Sequence, residues 1–249
     1  MQDDRLTVIS IAALACILQD VLHEGLGHGV TAWLSGAQIM TMSTVALQSD
    51  VSTRWISANG TLVNLVFGAI FWLVLLKPRR YSPATRYFLV LCMAGNLFTS
   101  TGYFLFSGVA NFGDWAAVIQ GLQPHWMWQI GLVVLGVVTY YGSMLLVGAQ
   151  LRPFAARWRD LCWTPYFTDG TLALLGGLLN PLGWFYIVAS ALPSTLGANA
   201  GLLSLPFMLK PSKKDEVGII SRDRAWMVAG AIASILFIIV LGRGLTWTK

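Results

Sequence analysis

The sequence predicts an all-α integral membrane protein of about six transmembrane helices, with a short β-like segment after the first. Only 11% of the 249 residues are charged and 56% are hydrophobic, and the mean hydropathy is +0.66. A soluble domain carries about 25% charged residues, so lipid is the solvent this composition suits. The apolar residues also gather into runs of about the 20 residues that cross a bilayer. Eleven Trp and seven Tyr add amphipathic rings of the kind that favour the membrane interface. The net charge of +5 sits in short basic clusters between the apolar runs. Those positions suit lipid headgroups and topology signals, and argue against nucleic acid as a partner.

The six candidate spans run from Leu6 to Trp33, Trp55 to Leu76, Thr85 to Phe106, Trp126 to Val147, Leu172 to Leu192 and Trp226 to Leu241. Between the first two, residues 37–49 alternate apolar with small polar side chains, the pattern of a short strand or hairpin. Residues 195–223 fit a short interfacial or re-entrant piece followed by the polar loop P-S-K-K-D-E. No repeat, low-complexity tract or soluble domain interrupts the pattern. The chain therefore reads as a single polytopic domain over 1–249. Its core covers about 6–120, and further helices fill about 126–249.

Four basic residues in 77–86 and three in 152–159 fall on one side of a six-span topology, the cytoplasmic side by the positive-inside rule. That topology places the loop of residues 210–224 on the other side, despite Lys210, Lys213, Lys214, Arg222 and Arg224. Cys16, Cys92 and Cys162 form no C-x-x-C pair, and the first two sit in apolar runs as small hydrophobes. The first span carries Asp20, His23 and Glu24, so it reads as a retained helix and not a cleaved leader. Compactness and the lack of a targeting segment suggest a bacterial inner membrane.

The chemistry concentrates in that first span. Asp20, His23, Glu24 and His28 lie within nine residues, flanked by apolar sequence on both sides. Ionisable groups at membrane depth are expensive unless they are paired, hydrated or metal-bound. V-L-H-E-G-L-G-H-G-V, residues 21–30, nearly matches the zinc signature H-E-x-x-H, with the second histidine one residue late. In a regular α-helix, i and i+4 are about 40° apart and i and i+5 about 140° apart. Two arrangements rescue a metal site. A π-bulge brings i and i+5 onto one face, and Gly25, Gly27 and Gly29 ease such a deformation. Alternatively, Glu24 and His28 bind the metal and His23 supports them. The bulge is preferred, because it leaves a catalytic carboxylate beside the metal.

Zinc held by two histidines needs a third protein ligand and an open position. Asp114, just past the third span, is either that ligand or an N-cap for the helix it begins. His125 is the remaining histidine, and Asp20 could orient a ligand from behind. In the second span Gly60 precedes Asn64 by one turn, where a small residue permits close helix approach and a buried Asn needs hydrogen-bonding partners.

H-E-G-L-G-H in the first span, then a β-like segment, then G-T-L-V-N at residues 60–64, resembles the site-2 protease type of intramembrane zinc metalloprotease. The spacing here is H-E-x-x-x-H where that family has H-E-x-x-H. The resemblance covers roughly residues 10–120. It implies His23 and His28 as zinc ligands, Glu24 as the general base, and Asn64 with Gly60 in packing or substrate positioning. G-V-A-N-F-G-D-W, residues 108–115, resembles the segment that supplies the family's ligand aspartate, which selects Asp114. L-L-N-P-L-G-W, residues 178–184, has the Asn-Pro of the family's longer motif with no aspartate following. The implied activity is zinc-dependent intramembrane proteolysis of single-span helices that locally unwind, in contact with membrane lipids. A zinc hydrolase of a lipid or other amphiphile, and a non-catalytic scaffold subunit of a membrane complex, are the competing readings. The positive-inside reading also puts the motif toward the outer face, where many members of the family have it nearer the cytoplasm.

Overall fold

The computed structural model describes residues 2–77, 80–181, 183–208 and 218–247. The first helix, α1, runs from Arg5 to Leu34. Asp4 caps it, its carboxylate accepting from the Thr7 backbone N–H at 3.0 Å and from the Thr7 hydroxyl at 2.8 Å. A hairpin follows, β1 (Ile39–Met42) antiparallel to β2 (Leu47–Ser49). Then come α2 (Arg54–Leu76), α3 (Pro83–Ala110), the short α4 (Asp114–Ile119) and α5 (His125–Leu151). Thr53 and Ser82 cap α2 and α3, and Pro83 opens α3 where its missing N–H costs nothing.

The core lies around α3. Tyr87, Val90, Met93 and Phe98 are buried there, and the Tyr87 hydroxyl donates to the Leu161 carbonyl at 2.7 Å. Apolar side chains on the other helices face outward, among them Val66, Val138 and Ile232. Five helices are long and apolar enough to cross a membrane: α1, α2, α3, residues 125–154 and α9 (Arg224–Leu241), the last reached after the elements described next.

The expected span from Leu172 to Leu192 is not one helix. Instead α6 occupies Trp158–Leu178 and ends before Asn180 and Pro181. The chain then turns back through α7 (residues 184–198) and α8 (Ala200–Met208). Contacts between Gly177 and Ile187, between Asp169 and Asn199, and between Trp163 and Leu203 show that this return runs antiparallel to α6. A proline cannot continue the helical ladder, and the more polar α6 escapes a window set for continuous apolar runs.

This extra passage corrects the topology. Residues 218–223 lie beside the N-terminus and the 152–157 turn. Asp3 pairs with Arg157 at 2.5 Å and accepts from the Ile220 backbone N–H at 2.7 Å, and the Asp223 N–H donates to Thr7 Oγ1 at 3.1 Å. Pro83 approaches Gly218 at the same end. Arg222 and Arg224, expected on the opposite side, therefore share one end with Arg152 and Arg157. Arg79, Lys210, Lys213, Lys214, Asp215 and Glu216 lie outside the described residues.

At the other end the sheet is wider than the sequence suggested. A third strand, β3 (Leu245–Thr246), pairs with β1, giving the order β2-β1-β3.

The inserted residue in H-E-G-L-G-H is absorbed by a π-helical segment, Val21–Gly29, inside α1. The Val30 N–H bonds back to the Gly25 carbonyl, five residues away. This segment presses on α2 where Gly27 meets Gly60. A Cβ added at Gly27 would lie 2.5 Å from Gly60 Cα and 2.8 Å from the Asn59 carbonyl. Gly27→Ala should lower stability by about 1–3 kcal/mol through overpacking, read as a lower melting temperature in detergent. Gly25→Ala is the control, since its Cβ would meet nothing closer than Val21 at 3.9 Å.

Candidate metal centre

The π-segment turns His23 and His28 toward each other, with their Nε2 atoms 3.2 Å apart. Asp114 Oδ2 is 3.2 Å from the first and 3.4 Å from the second. A tetrahedral zinc with bonds of about 2.0–2.1 Å places its donors about 3.3–3.4 Å apart. The three atoms match that edge length on every side, and they form the one His/Cys/Asp/Glu group suited to a metal among the described residues.

The hydrogen bonds behind the rings decide what those atoms present. His23 Nδ1 lies 2.6 Å from Asn64 Oδ1. The Asn64 amide is oriented because its Nδ2 donates to Asn96 Oδ1 at 2.7 Å and to the Gln19 carbonyl at 3.1 Å. Asn96 is fixed in turn by donating to the Cys92 carbonyl at 2.8 Å. His28 Nδ1 lies 2.7 Å from the Ile56 carbonyl. Both Nδ1 atoms therefore face acceptors and carry the hydrogen, leaving each Nε2 with a lone pair. Two lone pairs and a carboxylate oxygen converge on one point in a buried setting. A cation there turns mutual repulsion into ligation. When protons take that place instead, burial works against the charge on Asp114. The attraction of His28 and hydrogen bonds from both imidazoles still hold its carboxyl well below the usual carboxylate range.

Asp114 reaches the centre through a tight turn. Asn111 ends α3 in the left-handed conformation (φ 49°), and Gly113 at φ 85° turns the chain into α4. Asp114 is the first residue of α4 and makes no capping hydrogen bond. Trp115 pins the turn to α2, its indole N–H donating to Thr61 Oγ1 at 2.7 Å. Sequence reasoning missed Trp115, whose partner lies 54 residues away in the chain. Gly60 provides clearance, since a Cβ there would run into both imidazoles. Asn64 is fully engaged with His23, Gln19 and Asn96, which makes it a group that positions the histidine.

Glu24 stands beside the three donors, with Oε2 buried and unpartnered. It lines a cavity of about 430 Å³ together with His28, Asp114, Tyr103 and the residues of β2. His125 stays apart, 3.0 Å from Asn111 Oδ1 at the start of α5. Asp20 also lies outside the cluster, in the wall of smaller cavities behind it. No family model matches the chain, and no curated protein or solved structure matches it either. Function therefore has to be read from these residues.

Replacing Asn64 by Leu removes the acceptor that sets the His23 tautomer. Zinc affinity should fall about 10–100-fold, measured by competition with a chromophoric chelator, while Asn96→Ala should weaken it less.

Proposed function

We propose that the chain is a zinc-dependent intramembrane peptidase. The observation that carries this reading is the His23–His28–Asp114 triangle at zinc spacing, with the unpartnered Oε2 of Glu24 beside it and a cavity in front. Zinc, when bound, would polarise the scissile carbonyl and make water a nucleophile at neutral pH. Asp114 and the two imidazoles hold the ion, and Asn64 and the Ile56 carbonyl hold the imidazoles. Glu24 accepts a proton at its carboxylate and delivers it to the departing amine.

The cavity favours a peptide over a lipid ester. In the sheet order β2-β1-β3, one edge of β2 has no strand partner among the described residues, and Leu47, Gln48 and Ser49 of that strand line the cavity. An extended segment can complete the unpaired edge through main-chain hydrogen bonds, which an ester lacks. A helical substrate has its own peptide groups satisfied, so it must unwind before it can use this edge.

Integral membrane placement is supported by the five long apolar helices. Exposed Trp33, Trp55 and Trp126 sit at the site end of α1, α2 and α5, as an interfacial belt requires. Apart from Arg54 and Arg243, the described basic residues gather at the opposite end. By the positive-inside rule that end is cytoplasmic, which puts the metal centre in the outer half of the bilayer. A bacterial inner membrane is the setting this orientation suits.

Purified from zinc-replete medium, the protein should hold about one zinc per chain, lost in His28→Ala and Asp114→Ala and kept in Glu24→Gln. Cleavage of a transmembrane peptide in proteoliposomes should fall about 10²–10⁴-fold in Glu24→Gln. Zinc-free protein would end the peptidase reading, and hydrolysis of lipid esters without peptide cleavage would replace it with a lipid hydrolase. Zinc without either activity would leave a scaffold.

A further inference from the structure

Behind the metal centre, Glu24, Asp20 and Cys16 succeed one another at one-turn spacing along a stripe of α1. Three small cavities follow that stripe toward the middle of the helix. The first has Glu24 and Asp20 in its wall, the second Asp20 and Asp169, the third Asp169 and Asn199. Their volumes are about 30, 30 and 20 Å³, each enough for an ion or one or two waters. No organic ligand fits.

Asp20 from α1 and Asp169 from α6 both border the second cavity. No Lys or Arg among the described residues pairs with either. Asp169 accepts from Asn199 Nδ2 at 2.5 Å. Three oxygens remain buried without a partner: Asp20 Oδ2, Thr44 Oγ1 and Asn199 Oδ1. Thr44 and Asn199 are only 8% and 4% exposed, so bulk water does not satisfy them. Buried polar atoms in native proteins almost always have a partner, and two facing carboxylates call for a positive one.

We propose that Asp20, Asp169 and Thr44, which line the second cavity, form a second cation site, distinct from the metal centre, for a hard oxygen-coordinated ion such as Na⁺ or Ca²⁺, with Asn199 holding the Asp169 carboxylate from the neighbouring cavity. The side-chain atoms that Asp20, Asp169 and Thr44 offer are all oxygen. That set selects against zinc and copper. Mg²⁺ retains several waters, for which the cavity lacks room. Two carboxylates balance one Ca²⁺; with a proton on one of them they balance one Na⁺. The ion would tie α1 to α6, to the turn after α7 and to the β-hairpin. The proposal does not depend on peptidase activity.

The test is thermal melting of the full chain in detergent, in N-methylglucamine chloride alone and with added NaCl or CaCl₂ at matched ionic strength. A saturable rise of about 5–10 °C is expected at a hundredfold excess of ion over its Kd. A rise with Na⁺ alone identifies a monovalent site, and one with Ca²⁺ a divalent site. Asp169→Asn should abolish the rise and Thr44→Val should shift its midpoint about tenfold, both with unchanged zinc content. Glu24→Gln should leave it intact. No saturable rise with either ion, or a rise that survives in both Asp169→Asn and Thr44→Val, overturns the proposal. If Asp169→Asn does not fold, Thr44→Val and Asn199→Ala carry the same comparison.

Discussion

The buried hydrogen bond between His23 and Asn64 is the joint on which the other features of the centre depend. It joins α1 to α2, and through Asn96 it reaches α3, so three helices share a single polar chain. Within an apolar bundle a polar side chain has few partners, and each one it finds fixes a helix in rotation as well as in depth. The Gly27–Gly60 approach brings α1 and α2 close enough for that bond to form. The π-segment turns His23 to the face where Asn64 waits. If either were relaxed, the imidazole would lose its tautomer and the donor triangle its edge lengths.

Much of the centre was legible in the sequence because its signals are local. His23, Glu24 and His28 announce themselves by their density in an apolar helix, and the one-residue excess has few structural solutions. Glycines on alternate positions pointed to the π-segment. Asp114 was harder, since an aspartate opening a helix is also what a cap looks like. Only the geometry shows its carboxylate turned to the imidazoles and away from its own backbone. The role of Trp115 depends on Thr61, 54 residues earlier, and no pattern in either segment reveals that pairing.

The fold was legible wherever a helix is uniformly apolar and became obscure where it is not. The five long apolar helices stand within a few residues of their expected ends. The passage through α6, α7 and α8 was misread because Asp160, Pro165 and Asp169 dilute the first arm and Asn180-Pro181 breaks the run. Counting that passage twice, down and back, also bears on the conflict over charge: Arg222 and Arg224 share an end with the other basic loops because the chain crosses the bundle once more than hydropathy alone suggested. Of the residues that spoiled the apolar pattern, Pro165 and Asp169 line the small cavities behind Glu24.

The three-stranded sheet carries a consequence in time. β1 and β2 follow directly on the helix that bears the histidines, yet β3 comes from residues 245–246, after every intervening span. As the chain emerges, both histidines, Glu24 and the β2 edge are made early, but the sheet beside them stays one strand short until the last helix is in place. The sheet beside the candidate metal centre is therefore completed only once residues 245–246 have been made.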